Sequence, residues 1–219
     1  DAAVVGVNPT DAALRLIDDE VLARAAATIE EELADEPLIA AKLHHTIGVT
    51  YKRLGLLESA EPQLQKAVEI RKRELGSEDL ETLTSLHHLG QVLAGSGKSL
   101  EVTDLYAEVL AARRRLLGDE NPETLGTMYF VALLYQIQAR YQDSEALYTE
   151  AMEAGERIHG EGHPVTLANL QGLGILYSIQ GRHEKSEPIL REVLAKQIEY
   201  QGEDHLRTMA AKMSLAIVL

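Results

Sequence analysis

The chain has 219 residues and a formal net charge of −14, which excludes generic binding to nucleic acid or to an anionic membrane, since both require a basic face. The absence of cysteine excludes disulfides and thiolate metal sites and fits a cytoplasmic protein. No apolar run approaches the roughly 18 residues that span a bilayer, and because the first residue is Asp1 the chain is read as a piece of a longer protein.

Residues 1–10 are an N-terminal extension and a candidate for disorder. The helix-start signal Asn8-Pro9-Thr10-Asp11 then opens a segment rich in Ala, Leu and Glu, which predicts a capping helix over 11–36. Shifted by 42 residues, Leu22 matches Leu64 and Ala25 matches Ala67. The segment therefore reads as an unpaired second helix that covers the N-terminal end of a repeat array.

From residue 37 onward the sequence repeats. Gly76, Gly118, Gly160 and Gly202 keep a spacing of 42 residues, as do Thr82, Thr124, Thr166 and Thr208. Gly48, Gly90, Ala132, Gly174 and Ala216 keep it too, and so do Tyr51, Leu93, Tyr135, Tyr177 and Leu219. Self-similarity at such a period marks a solenoid, in which each unit buries its apolar face by stacking on its neighbours. Four full repeats are predicted at 37–78, 79–120, 121–162 and 163–204, with a half repeat at 205–219.

One period holds two helical patterns. In the second repeat Asp79 is an N-cap candidate, and Leu83, Leu86, Leu89, Val92 and Leu93 recur at helical spacing. Gly95 and Gly97 interrupt it. Leu100, Leu105, Val109, Leu110, Leu116 and Leu117 form the next apolar stripe, and Gly118 stops it. Asn121 and Pro122 start the next helix, as cap and first helical residue. No period-two run suggests a strand, so the fold class is all-α, built of antiparallel helix pairs. Glycine inside a helix costs about 1 kcal/mol relative to alanine. Gly48, Gly90 and Gly174 therefore predict close helix approach, with Tyr51, Tyr135 and Tyr177 filling the space beside it. The last segment, Leu206 to Leu219, matches only a first helix and ends on an apolar stretch, Leu215-Ala-Ile-Val-Leu219. That end wants a cap, and it makes a homodimer through helix 206–219 one expectation.

Leu-Gly-Ile-Leu-Tyr (173–177), Gln-Gly-Arg (180–182), Ser-Glu-Pro-Ile-Leu (186–190) and Gly-Glu-Gly-His-Pro-Val-Thr-Leu (160–167) resemble tetratricopeptide repeats of the 42-residue, kinesin-light-chain type. Earlier counterparts are Ile-Gly-Val-Thr-Tyr (47–51) and Ala-Glu-Pro-Gln-Leu (60–64). The resemblance spans about residues 38–219. It implies a right-handed α-solenoid superhelix, non-catalytic, that binds protein or peptide on a concave face lined by the first helix of each repeat. Residues 24–37 are similar to the segment that joins bacterial serine/threonine protein kinases to C-terminal repeat tails. Where kinesin-type repeats carry paired asparagines, this chain has His45-Thr46, His87-His88, Tyr129-Phe130, Gln171-Gly172 and Met213-Ser214. Val49 stands at a key asparagine position of chaperone-binding members. Neither kinesin-type cargo peptides nor chaperone tails are therefore implied as ligands.

Gly95-Ser-Gly-Lys-Ser99 resembles the end of a phosphate-binding loop, but Val92 stands where that loop needs a glycine and no strand precedes it. It reads as a turn. Gly172-Leu-Gly174 fails as a dinucleotide fingerprint for the same reason. The pairs His44-His45 and His87-His88 suggest metal, yet adjacent helical residues point apart, and equivalent positions on neighbouring helices lie roughly 10 Å apart. No metal and no cofactor are expected. His163 and His205 occupy the N-cap slot of Asp79 and Asn121. Arg113-Arg-Arg115 closes a helix, where cations meet the negative dipole end on a solvated face. No acid, base or nucleophile set marks an enzyme.

The candidate binding groove is the projected inner strip of the first helices. The first repeat supplies Lys42, His45, Val49, Lys52 and Arg53, and the second Thr84, His87, His88 and Gln91. The third supplies Tyr129, Leu133 and Gln136, and the fourth Gln171, Ile175 and Ser178, with Met213 and Ile217 extending the row. The strip is basic toward its N-terminal end and more apolar toward the other, and Val49, Leu133, Ile175 and Ile217 equally suit packing between repeats. The leading expectation is a module that holds a peptide or helix in this groove. The alternatives are self-assembly or a regulatory tail of a bacterial kinase or transcription regulator.

Overall fold

A computed structural model describes residues 17–219; residues 1–10 and the first part of the expected capping helix, 11–16, lie outside the described residues. Among the described residues there is no strand. A π-helical turn, Ile17–Leu22, leads into ten α-helices. They divide into two compact units, one ending at Lys98 and one beginning at Ser99.

The first unit contains α1 (Ala23–Glu32), α2 (Pro37–Arg53), α3 (Leu57–Leu75) and α4 (Leu80–Gly95). Helix α2 starts with Pro37 in its first turn, where a missing N–H costs nothing. Gly55, at φ 79°, turns the chain into α3. On α3, Ala60, Leu64, Ala67, Val68 and Arg71 share one buried face at helical spacing. A Cβ on Gly48 would lie 2.6 Å from Leu64 Cγ, so the close approach read from this glycine is present between α2 and α3. Tyr51 is buried beside it.

The second unit contains α5 (Thr103–Leu117), α6 (Pro122–Ile137), α7 (Tyr141–His159), α8 (Pro164–Ile179), α9 (His183–Gln201) and α10 (Leu206–Ala216). The hairpins α6–α7 and α8–α9 repeat each other in detail. Ser144 Oγ donates to the Ala132 carbonyl at 2.8 Å, and Ser186 Oγ to that of Gly174 at 2.7 Å. The Arg140 and Arg182 guanidinium groups sit over the Tyr135 and Tyr177 rings. Tyr177 is buried, whereas Tyr135 is only half-buried, so the packing role read for the three tyrosines is full at two of them. A core of Ala132, Tyr148, Leu173, Leu176 and Tyr177 joins α6, α7 and α8, and Ile189 of α9 packs against it.

Caps follow the 42-residue period. Gly76, Gly118, Gly160 and Gly202 close their helices at φ between 86° and 94°. Asp79 and Asn121 accept hydrogen bonds from the backbone N–H of residues 81 and 123. His163 and His205 do the same through Nδ1, toward Val165 at 3.3 Å and Arg207 at 3.2 Å. These two imidazoles are therefore caps, with Nδ1 unprotonated.

Three details differ from the sequence reading. Gly95 is the last residue of α4 and does not interrupt the pattern before it. Leu100 is 76 % exposed, because the next helix begins only at Thr103 and Val102 takes the buried position instead. Arg113 is not on a solvated face: it is 3 % exposed. Its guanidinium donates to the Glu123 carbonyl and Thr127 Oγ1, and pairs with the Glu123 carboxylate at 3.0 Å. Arg71 makes the same set of bonds with Glu81 and Ser85. Each arginine bolts the end of one helix to the start of the next. The signal was present in the sequence as a 42-residue echo of Arg, Glu and a hydroxyl residue, Arg71-Glu81-Ser85 and Arg113-Glu123-Thr127.

Candidate functional site

In the first unit, α2 and α4 bring five of the nine expected groove residues into one polar cluster. Lys52 Nζ donates to His88 Nδ1 at 3.0 Å and to Gln91 Oε1. Gln91 Nε2 donates to His87 Nε2 at 3.0 Å. Ser85 Oγ accepts from the buried Arg71 at 2.7 Å and turns its own hydroxyl proton to His45 Nδ1 at 3.0 Å. With Nδ1 of His45 and His88 and Nε2 of His87 as acceptors each ring is in a neutral tautomer, and His88 Nδ1 also lies 3.2 Å from Gln91 Oε1. Burial, then the charges of His88, Arg71 and Lys52, hold His45 down to about 4. Burial and the nearby Arg53 also lower the Lys52 ammonium from its ordinary value.

The rings of His45 and His88 lie 5.3 Å apart, closer than the interhelix spacing suggested, because residue 88 is one step beyond the equivalent of residue 45 and turns toward α2. As expected for adjacent residues, His44 points elsewhere: it is buried and bonds Gln63 on α3 at 2.7 Å. Lys42 and Arg53 are exposed on α2, Val49 is half-buried, and Thr84 turns its hydroxyl back to the Leu80 carbonyl. Among the described residues, no carboxylate pairs with Lys42, Lys52 or Arg53, and no group of three His, Asp or Glu side chains is placed to hold a metal ion.

The expected groove residues of the second unit are all uncharged. Tyr129 leans on the fully buried Tyr148, ring centroids 5.7 Å apart, and burial raises the pKa of its hydroxyl. Leu133, Gln136, Ile175 and Ser178 are all half-buried. Gln136 Oε1 is buried with no hydrogen-bond partner among the described residues. Gln171 is tied to Ser214 on α10 at 2.9 Å. Met213 on α10 and Ile217 at its C-terminal cap are 70 % and 78 % exposed.

The remaining motifs resolve as structure. Gly97 takes a left-handed turn at φ 86°, and Lys98, the lysine of the loop-like motif, pairs with the Glu61 carboxylate at 2.9 Å. No helix among the described residues is long and apolar enough to cross a membrane.

The family model described as tetratricopeptide repeat matches residues 38–115 and 123–199. Comparison with curated proteins returns no match. Solved structures share the fold. BtubC (BKLC) from P. vanneervenii superposes with a TM-score of 0.70 at 16 % identity, over 97 % of this chain and 84 % of its own. A Podosopora anserina protein of nearly identical TPR-like repeats, named for kinesin light chain, gives 0.66 at 24 % identity, over 81 % and 84 %. YrrB, a TPR protein with an unusual peptide-binding site, gives 0.54 at 17 % identity, over 93 % and 90 %.

Proposed function

Because the chain belongs to the tetratricopeptide repeat family, we propose that it is a non-catalytic interaction module that holds a peptide or helix against the inner faces of its first helices. The carrying observation is the contrast between the two faces. Three cations without carboxylate partners among the described residues stand on α2 of a chain with net charge −14, and an uncharged, half-buried surface around Tyr129, Leu133 and Ile175 lies on α6 and α8. Within the first unit an acidic stretch suits the cations, and within the second unit apolar anchors suit the uncharged surface, since anchors carry binding energy while charge guides encounter. The peptide-binding site of YrrB supports the mode by analogy, and a cytoplasmic setting belongs to the same reading. The double variant Lys52→Glu/Arg53→Glu is expected to weaken capture of such a peptide in a pull-down. Unchanged capture removes the basic face from the groove.

One observation favours a second reading. Leu206, Met209 and Met213 on α10, with Ile217 at its C-terminal cap, form an exposed apolar stripe, which suits pairing with a second copy. Light scattering at high micromolar concentration tests it, and a strict monomer rejects it. The resemblance of residues 24–37 to the linker of bacterial kinase tails supports a third setting, as the sensor tail of a signalling protein, which the sequence upstream of Asp1 tests.

A further inference from the structure

In the α2–α4 cluster each acceptor nitrogen already serves a donor of the protein. Ser85 O–H satisfies His45 Nδ1, Lys52 satisfies His88 Nδ1, and Gln91 satisfies His87 Nε2. Lys52 thus spends its charge on an imidazole and an amide oxygen, in a chain with 35 Asp and Glu against 21 Lys and Arg. Carboxylates are plentiful, yet none is placed here. A half-buried ammonium bonded only to neutral acceptors is an unfinished ion pair: a carboxylate is the stronger acceptor.

We propose that His45, Lys52 and His88 form a proton-gated seat for an Asp or Glu side chain of the peptide held in the groove. With neutral rings, Lys52 is folded inward onto His88 and Gln91. An imidazolium has no acceptor nitrogen, so protonation of His88 expels the ammonium from that bond, and protonation of His45 likewise ends its acceptance from Ser85. The new Nδ1–H of His88 then turns to Gln91 Oε1 at 3.2 Å and that of His45 to Ser85 Oγ at 3.0 Å, which leaves the released ammonium to meet an entering carboxylate. The proposal rests on the groove reading and adds its regulation.

The surroundings give the sign. His45 faces Lys52 on its own helix, the buried Arg71 from α3, and His88 from α4, with His87 edge-on to His88 at 5.6 Å. The nearby Glu81 carboxylate is committed to Arg71. Protonating the empty seat is therefore uphill, which is why burial and these charges hold His45 at about 4. A seated carboxylate reverses the balance and raises the ring pKa, so binding takes up a proton. Affinity then grows as pH falls from about 7 toward 5 and declines below about 4.5, where the partner's own carboxylates protonate.

The test tracks the imidazole resonances of the full chain by two-dimensional nitrogen–proton NMR, with glutarate as probe and sodium chloride at matched ionic strength as control. Glutarate is expected to raise the His45 and His88 pKa by about one unit, and to lose that effect in Lys52→Met, whose fold is checked by circular dichroism. Titration curves unmoved by glutarate, or moved equally in Lys52→Met, overturn the seat. Inorganic phosphate shifting the rings more than glutarate overturns its assignment to a carboxylate. In parallel, fluorescence anisotropy uses a labelled peptide with a glutamate run followed by leucine and phenylalanine, and a twin with every Glu replaced by Gln. The acidic peptide is expected to bind measurably more tightly at about pH 5.5 than at about pH 7.5, by less than the tenfold limit of a one-unit shift, while the twin stays flat. Equal affinity at both pH values overturns the gate and leaves the groove reading standing. If neither peptide binds but glutarate still shifts the rings, the groove reading falls and the seat stands.

Discussion

At single positions, backbone conformation and contact distance decide more than residue class. Ala139 adopts φ 58°, in the left-handed region that Gly55, Gly97 and Gly181 occupy in the other turns. An L side chain there costs roughly 1–2 kcal/mol, so Ala139→Gly is expected to raise the melting temperature by about 2–4 °C, read by circular dichroism. Gly172 has the opposite constraint. A Cβ on it would collide with Cε1 of the Tyr148 ring, and Tyr148 is fully buried, so the ring cannot retreat. Gly172→Ala is expected to cost about 1–3 kcal/mol of stability, measured by urea denaturation. An unchanged midpoint means that the α7–α8 packing is looser than the geometry implies. His45 sets a pH limit on the fold. Its pKa is lowered by burial and neighbouring cations to about 4, from 6.5, so between those values the unfolded chain binds more protons and stability falls on acidification. Solvent screening at a half-buried ring leaves a loss of about 1–2 kcal/mol. His45→Gln is expected to flatten that part of the stability profile.

At the level of helices, the period was legible because it is written in the residues with the least freedom. Glycines at helix ends, Asp and Asn caps and the Gly48 and Gly174 slots each tolerate few alternatives, so their spacing fixed the helix pairs before any contact was known. The polar joints were written only as a 42-residue echo of residue types, which gives no sign of their burial. Arg71 and Arg113 look like ordinary cations near a helix end, and only the geometry reveals them buried against Glu81, Ser85, Glu123 and Thr127. The helical projection of the groove named the members of the His45–Lys52–His88 cluster but not its hydrogen-bond order, since a projection is blind to which nitrogen accepts. The Arg113 joint carries an element-scale prediction. Arg113→Met is expected to destabilise by about 1–3 kcal/mol, because the Glu123 carbonyl and Thr127 lose a buried donor. A neutral effect in thermal melts refutes the bolt.

For the molecule as a whole, charge and the exposed stripe of α10 act together. The sequence pI is about 5.0, so the repulsion that separates copies at neutral pH vanishes near that value. Association is expected to peak at about pH 5 and to be suppressed in Met213→Lys/Ile217→Lys, measured by dynamic light scattering. Association that persists in the double variant places it on another surface.

The guanidinium bolt also ranks the modules. Moving 42 residues along the chain from Arg113 leads to Gly155, where a single added carbon would meet Thr166 Oγ1 at 2.7 Å, and then to Gln197, whose carbonyl receives the Thr208 hydroxyl. The early joints are fastened by a charged side chain, the next by close packing of Gly155 on Thr166, and the last by a hydroxyl bonded to the main-chain carbonyl of Gln197. Blocks of this chain are consequently not interchangeable bricks. A shuffled array that grafts arginine into the Gly155 slot has no room for it, and one that moves Gly155 to an early joint leaves a buried carbonyl and hydroxyl without their donor.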